Sequence, residues 1–116
     1  MDKTVLVVDN DLDILDIVCF IVEARGLRSE SHEIFSQINI INPQLILLDN
    51  WLGSVSGSEL CHQLKQTETQ NHIPVILMSA ITELEKVARE CKADGFLSKP
   101  FDIADLESLL AKLLPE

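Results

Sequence analysis

Apolar residues follow two rhythms along this chain. In the first they form short unbroken runs: Thr4–Val8 (TVLVV), Leu45–Leu48 (LILL), Val75–Met78 (VILM) and the shorter Gly95–Ser98 (GFLS). Runs of this length, bounded by polar residues, predict strands buried on both faces, as in a parallel sheet covered by helices. In the second rhythm apolar residues recur at intervals of three and four. Leu15, Val18, Cys19 and Val22 do so within Leu12–Arg25, with Asp13, Asp16 and Glu23 on the other side. After Gly57, Leu60, Cys61 and Leu64 point inward; Leu84, Val87, Ala88 and Cys91 make a further stripe, and Leu106, Leu109, Leu110 and Leu113 the last. Such stripes predict amphipathic helices. Two segments are less regular. Leu27–Ser31 is short and polar, as an edge strand is. Ile34, Ile38 and Ile41 fit a short helix ended by Asn42-Pro43.

Start and stop signals agree with these elements. Asp11 suits an N-cap and Gly26 a helix stop. Ser56 with Glu59, and Thr82 with Glu85, have capping-box spacing, and Asp102 is placed to cap the last helix. Gln66–His72 is a polar connection, and Pro115 follows the last stripe. Strand and helix thus alternate five times. The expected fold is α/β: a flavodoxin-like doubly wound (βα)5 three-layer sandwich, with right-handed crossovers and parallel strand order 2-1-3-4-5. Residues 1–116 suffice for one domain.

Two of the apolar runs lead straight into carboxylates, Asp9 and Asp49. In the expected order the first and third strands are neighbours, at the switch point where open α/β sheets hold their ligands. Asp9 and Asp49 then face each other at one sheet edge. Ser79 and Lys99, from the ends of the fourth and fifth strands, flank them. Singly, each has a plainer role as turn residue, strand-end hydroxyl or solvated charge. Four strands delivering one fitting group each to one edge favour a joint role. Close carboxylates repel and need a cation or a proton between them. Mg2+ takes one or two carboxylates together with phosphate oxygens and waters. Lys99 adds a fixed positive charge. An aspartate ionised at neutral pH can attack phosphorus, and the cations offset charge on the phosphoryl oxygens. Ser79 could hydrogen-bond one of those oxygens. The pattern predicts phosphoryl transfer onto Asp49.

Composition narrows the function further. The net charge of −10 repels phosphate backbones and argues against direct nucleic-acid binding. No apolar run approaches the ~20 residues of a membrane span, and MDKTVLVVD lacks the features of a signal peptide. A cytoplasmic location is expected. Cys19, Cys61 and Cys91 are odd in number and far apart, as reduced, buried cysteines are. Cys61-His62 lacks a second pair that would make it a metal site. The chain leaves no room for a second domain, so it is read as a single-domain protein or as a domain cut from a longer one.

The motifs VVDND, LLDNWLGSVSG, VILMSA and FLSKPF together resemble the receiver domains of bacterial two-component response regulators, the chemotaxis-Y-like family, over the whole chain. The resemblance implies that Asp49 accepts a phosphoryl group from a phosphohistidine on a sensor histidine kinase or a histidine phosphotransfer protein, with Mg2+ as cofactor. It implies that Asp9 and Asn10 stand in the pair that helps hold the metal, with Asp49 and the backbone carbonyl of Trp51 as further ligands. Ser79 corresponds to the switch hydroxyl and Phe96 to the aromatic that turns inward when that hydroxyl moves. The resemblance also implies that Lys99 precedes a cis peptide to Pro100, X-Pro being the one bond where cis costs little. Phosphorylation would alter the surface of the fourth predicted helix, the fifth strand and the fifth helix. That surface meets an output protein or domain, or a second copy. Such a chain is a phosphoacceptor, not an enzyme, beyond autocatalytic phosphotransfer and self-dephosphorylation.

Two positions depart from the family pattern. Asn10 stands where a second acidic residue is usual, which predicts weaker Mg2+ binding. Gly53 stands where proline is common, which predicts a looser loop. Asn10 also supports an alternative, an interaction module indifferent to phosphate. A haloacid-dehalogenase-like phosphatase ranks lowest, because it wants a second aspartate where Trp51 stands.

Overall fold

Alternate residues along each strand pack against opposite helix layers, and this is why the apolar runs are unbroken. In the computed structural model, which describes residues 3–32, 41–53 and 55–114, the strands are β1 (Thr4–Val8), β2 (Arg28–His32), β3 (Leu45–Asp49), β4 (Val75–Ser79) and β5 (Gly95–Ser98). They form one parallel sheet in the order β2-β1-β3-β4-β5. The helices among the described residues are α1 (Leu12–Ala24), α2 (Gly57–Lys65), α3 (Leu84–Glu90) and α4 (Ile103–Leu113). The helix expected through Ile34 and Ile38 lies outside the described residues. The fourth and fifth predicted helices are therefore α3 and α4 here.

One core layer joins Val5, Val7, Leu45, Leu47, Ile76 and Met78 to α1 and α4 through Val18, Val22, Leu106 and Leu110. The other joins Leu6, Val8, Ile46, Leu48 and Leu77 to α2 and α3 through Cys61, Leu64, Leu84 and Ala88. Burial of this continuous apolar surface, worth about 25 cal/mol per Å2, is the main force holding the three layers together. Strand register pairs Val8 with Leu48, Asp49 with Met78, and Ser79 with Ser98. The carboxyl ends of β1, β3, β4 and β5 are therefore level.

Two of the expected caps form. Asp11 Oδ1 accepts from the backbone N–H of Asp13 at 3.0 Å and of Ile14 at 3.4 Å. Ser56 Oγ accepts from the N–H of Glu59 at 3.2 Å. The box expected at Thr82 and Glu85 does not form. The helix begins one residue later than that box requires, so the capping position falls on Glu83, whose backbone is turned (φ −91, ψ 21) and whose side chain makes no capping hydrogen bond. Asp102 has the extended backbone of an N-cap, but its side chain makes no capping hydrogen bond and stays exposed. β2 begins one residue later than expected, because Leu27 packs half-buried against the core instead of joining the ladder. In α1 the fully covered position is taken by Ile21, and Cys19 is only half-buried. Cys61 and Cys91 are buried and all three cysteines are free.

Candidate functional site

The site begins where β1 and β3 end. Asp9 is fully buried and Asp49 nearly so. One ammonium joins them: Lys99 Nζ donates to Asp9 Oδ2 at 2.8 Å and to Asp49 Oδ1 at 3.0 Å. The other Asp9 oxygen, Oδ1, accepts from the backbone N–H of Asp11 at 2.9 Å. Lys99 is held by its backbone, whose N–H donates to the Ser79 carbonyl at 2.9 Å, and by the cis peptide to Pro100. The sequence-predicted residues Asp9, Asp49, Ser79, Lys99 and Pro100 are thus brought to one edge of the sheet.

Burial pushes the Asp49 carboxyl above its usual value. Lys99 and the Trp51 backbone N–H oppose that push, and the Asp9 charge reinforces it. Burial alone would pull the Lys99 ammonium down, but its two carboxylate partners outweigh burial and hold it above its ordinary value. The Lys99 contribution to stability is therefore complete below that ordinary value and lost only as pH rises through the higher folded one. Asp49 behaves oppositely at neutral pH. Its stabilising form is the protonated one, so its contribution disappears as pH rises through its raised value, and the ionised carboxylate is a net cost to the fold.

Ser79 is buried at the end of β4, and its Oγ accepts from the N–H of Ile81 at 3.3 Å. Asn10 is exposed next to Asp9. The Trp51 side chain is 66% exposed, while its backbone bridges to Ser56 across the loop. Phe96 points outward on β5, 38% exposed, in the groove between α3 and α4 with Leu109.

Three residues that follow Asp49 explain why it sits where it does. Gly53 has φ +90, a conformation closed to proline, whose φ is held near −65°. The glycine is required by this turn, so the looser loop expected from the sequence is instead a defined left-handed one. A Cβ on Gly57 would stand 2.1 Å from the Asp49 carbonyl oxygen. The start of α2 is therefore pressed directly onto the backbone of the candidate phosphoacceptor. Asn50 fastens that contact. Its carbonyl accepts from Gly57 N–H at 2.8 Å and its side-chain oxygen from Ser58 N–H at 3.0 Å. This second cap is not legible in local spacing, because it is made eight residues upstream of the N–H it satisfies.

The donor set suits a hard cation. Asp9 and Asp49 are hard oxygen ligands, and the Asn10 amide and the Trp51 carbonyl are neutral oxygen donors nearby in sequence. Among the described residues no group of three or more His, Cys, Asp or Glu side chains is gathered to hold a metal. Two carboxylates with neutral oxygens is the composition that Mg2+ accepts when waters and phosphate complete its shell. Asp11, the next carboxylate after Asp9 in sequence, is committed to capping α1.

The family model "Response regulator receiver domain" matches residues 5–111. The chain belongs to the response regulator receiver domain family. This receiver is 32% identical over 125 residues to the phosphate regulon transcriptional regulatory protein PhoB of Escherichia coli, an alignment that covers 99% of this chain and 55% of that protein. The chain thus spans about half the length of the curated relatives it matches. It also resembles the solved receiver domain of NtrX from Brucella abortus, with 28% identity, a TM-score of 0.84, and coverage of 95% of this chain and 97% of that one. A third likeness is to the BeF3-activated receiver domain of DrrB, a Thermotoga maritima OmpR/PhoB homolog, with 26% identity, a TM-score of 0.82 and complete coverage of both chains. Receiver domains serve phosphorylation-mediated two-component signalling, generally with Mg2+, and are typically phosphoacceptors, not true enzymes. They interact with sensor kinases and output domains. No described helix is long and apolar enough to cross a membrane.

Proposed function

We propose that Asp49 is the phosphoacceptor of this receiver and takes its phosphoryl group from a phosphohistidine on a sensor histidine kinase or a histidine phosphotransfer protein. The observation that carries this reading is the single Lys99 ammonium shared by two buried carboxylates on adjacent strand ends. An Asp49 oxygen attacks phosphorus, the P–N bond breaks, and the imidazole leaves with the electron pair and takes up a proton. Lys99, already bonded to Asp49, can follow the charge onto the phosphoryl oxygens. Asp9, Asn10, Asp49 and the Trp51 carbonyl are the residues that would hold Mg2+, which supplies further positive charge to those oxygens. Ser79 accepts from Ile81 and has its own proton to give to a phosphoryl oxygen. Its movement would draw the loop after β4 inward and open space for Phe96. We place the resulting change of partner affinity, for an output protein or domain or for a second copy, on the α3-β5-α4 face. Residues 1–116 are taken as one receiver domain that works in the cytoplasm.

Phosphoramidate, whose P–N bond copies that of phosphohistidine, tests the assignment. With Mg2+ it is expected to add one phosphoryl group to the intact mass of the wild type and none to Asp49→Ala. Addition that persists in Asp49→Ala would assign the chemistry elsewhere. No addition to a wild type shown to bind Mg2+ would favour the phosphate-independent module that Asn10 supports.

The exposed Asn10 amide contributes an oxygen but no charge. Asn10→Asp is expected to tighten Mg2+ binding about fivefold, because a unit charge a few ångströms away is worth about 1 kcal/mol in well-screened surroundings. Calorimetric titration measures the change, and an unaltered Kd would remove Asn10 from the metal site.

A further inference from the structure

The phosphoacceptor chemistry leaves two nucleophiles unused. Cys61 on α2 and Cys91 at the end of α3 are both buried and both free. They lie in the core layer opposite the one that contains Cys19. They also touch. Cys61 Sγ donates to the Cys91 carbonyl at 3.4 Å. Cys91 Sγ is also turned back on its own helix, 3.5 Å from the Ala88 carbonyl. Cys91 lines a surface groove of about 310 Å3 between α2 and α3, together with Ser58, Glu59, His62, Val87 and Glu90. A small solute can therefore approach Cys91, while Cys61 waits behind it, fully buried. A thiol at the floor of an open groove, with a second thiol behind it to resolve its sulfenic acid, is the arrangement of an oxidation site.

We propose that Cys61 and Cys91 form a peroxide-oxidised disulfide that links α2 to the end of α3. The Cys91 thiolate attacks one oxygen of hydrogen peroxide. The S–O bond forms, the O–O bond breaks, and the hydroxide released takes up a proton and leaves as water. The Cys61 sulfur then attacks the Cys91 sulfenic acid. The S–S bond forms, the S–O bond breaks, and a second water leaves with the Cys61 proton. Two thiols lose two electrons in all, and one peroxide becomes two waters. The division of labour follows from access, since Cys91 lines the groove and Cys61 is fully buried. The Cys61 thiol lowers the Cys91 thiol to about 7, and the same contact, helped by burial, pushes Cys61 up. Cys91 is thus the one that ionises and reacts first.

The site couples oxidation to the signalling surface. α2 starts on the backbone of Asp49 through Gly57, and α3 flanks the groove that holds Phe96. A bond between them ties the phosphoacceptor loop to the partner-facing helix. In a reducing compartment the pair stays as thiols, and the bond forms only under oxidant.

Trypsin separates the three cysteines, with Cys19 in Thr4–Arg25, Cys61 in Ser29–Lys65 and Cys91 in Glu90–Lys92. Folded protein treated with hydrogen peroxide is expected to fall from three titratable thiols to one and to lose two hydrogens of mass. Non-reducing digestion should then yield Ser29–Lys65 joined to Glu90–Lys92, with Cys19 still free. Cys61→Ala should trap the Cys91 sulfenic acid, detectable with dimedone, and Cys91→Ala should keep Cys61 unreacted under the same dose. Three remaining thiols, loss of Cys19 instead, or cross-links only between chains would overturn the proposal. The wild-type digest decides it even where a variant fails to fold.

Discussion

Gly57→Ala is expected to destabilise the domain by about 2–4 kcal/mol, although alanine is the better helix former. Propensity alone predicts a gain of about 0.5–1 kcal/mol for this exchange inside a helix. The close approach reverses the sign. The added methyl would stand 2.1 Å from the Asp49 carbonyl oxygen, 2.9 Å from its carbon and 3.0 Å from the Asn50 Cα. All three are backbone atoms, so no side chain can swing aside. Either α2 lifts off and breaks the bonds from Gly57 and Ser58 to Asn50, or β3 shifts and carries Asp49 with it. Overpacking of this kind costs about 1–3 kcal/mol in ordinary cores, and lost capping adds to it. Urea unfolding measures the loss. A variant as stable as the wild type, with an unchanged Trp51 spectrum, would show that α2 does not rest on Asp49.

Lys99→Ala should be nearly as costly, and its cost should depend on pH and on metal. It leaves Asp9 and Asp49 facing each other with no ammonium between them. Removing one partner of a buried ion pair costs about 3–5 kcal/mol, because the remaining charge stays buried. Lys99 is not wholly buried, its side chain being 20% exposed, so a loss of about 2–4 kcal/mol near neutral pH is expected. Without the ammonium the raised Asp49 carboxyl rises further. A folded value above the unfolded one gives stability at low pH that is lost as pH rises, so the deficit against the wild type should shrink on acidification. Saturating Mg2+ should also recover part of it by restoring positive charge between the carboxylates. A deficit that is constant in pH and blind to Mg2+ would mean that Lys99 acts only through packing.

Much of this is legible in the sequence, because the strands are buried on both faces. Unbroken apolar runs in a chain that alternates with helical stripes allow few arrangements. Thr4–Val8 and Gly95–Ser98 were placed to the residue. Asp9, Asp49, Ser79 and Lys99 were legible for the same reason, since each ends such a run. The capping residues were harder. Asp11 and Ser56 cap as their local spacing predicts. The spacing at Thr82 and Glu85 is the same, yet the helix begins one residue later than that box requires. What the sequence could not show depends on distant backbone. The Asn50 cap on α2 is one case. Another is Asp94, which joins Val75 N–H and the Lys65 ammonium across 19 and 29 residues. The reason for Gly53 is a third, since its positive φ is set by the loop that closes between Trp51 and Ser56. The contact of Cys61 with Cys91 likewise needed the packing of two helices to appear.

The most direct measurement of the phosphoacceptor assignment follows the fluorescence of Trp51, the single tryptophan, which is exposed two residues from Asp49. Mg2+ is titrated first, and beryllofluoride, which stands in for a phosphoryl group on a carboxylate, is added after it. Asp49→Ala serves as the comparison. The account predicts a saturable response to Mg2+ in the wild type and a second response to beryllofluoride that disappears in Asp49→Ala. A beryllofluoride response that survives in that variant, or none in folded wild type with Mg2+ bound, would contradict it.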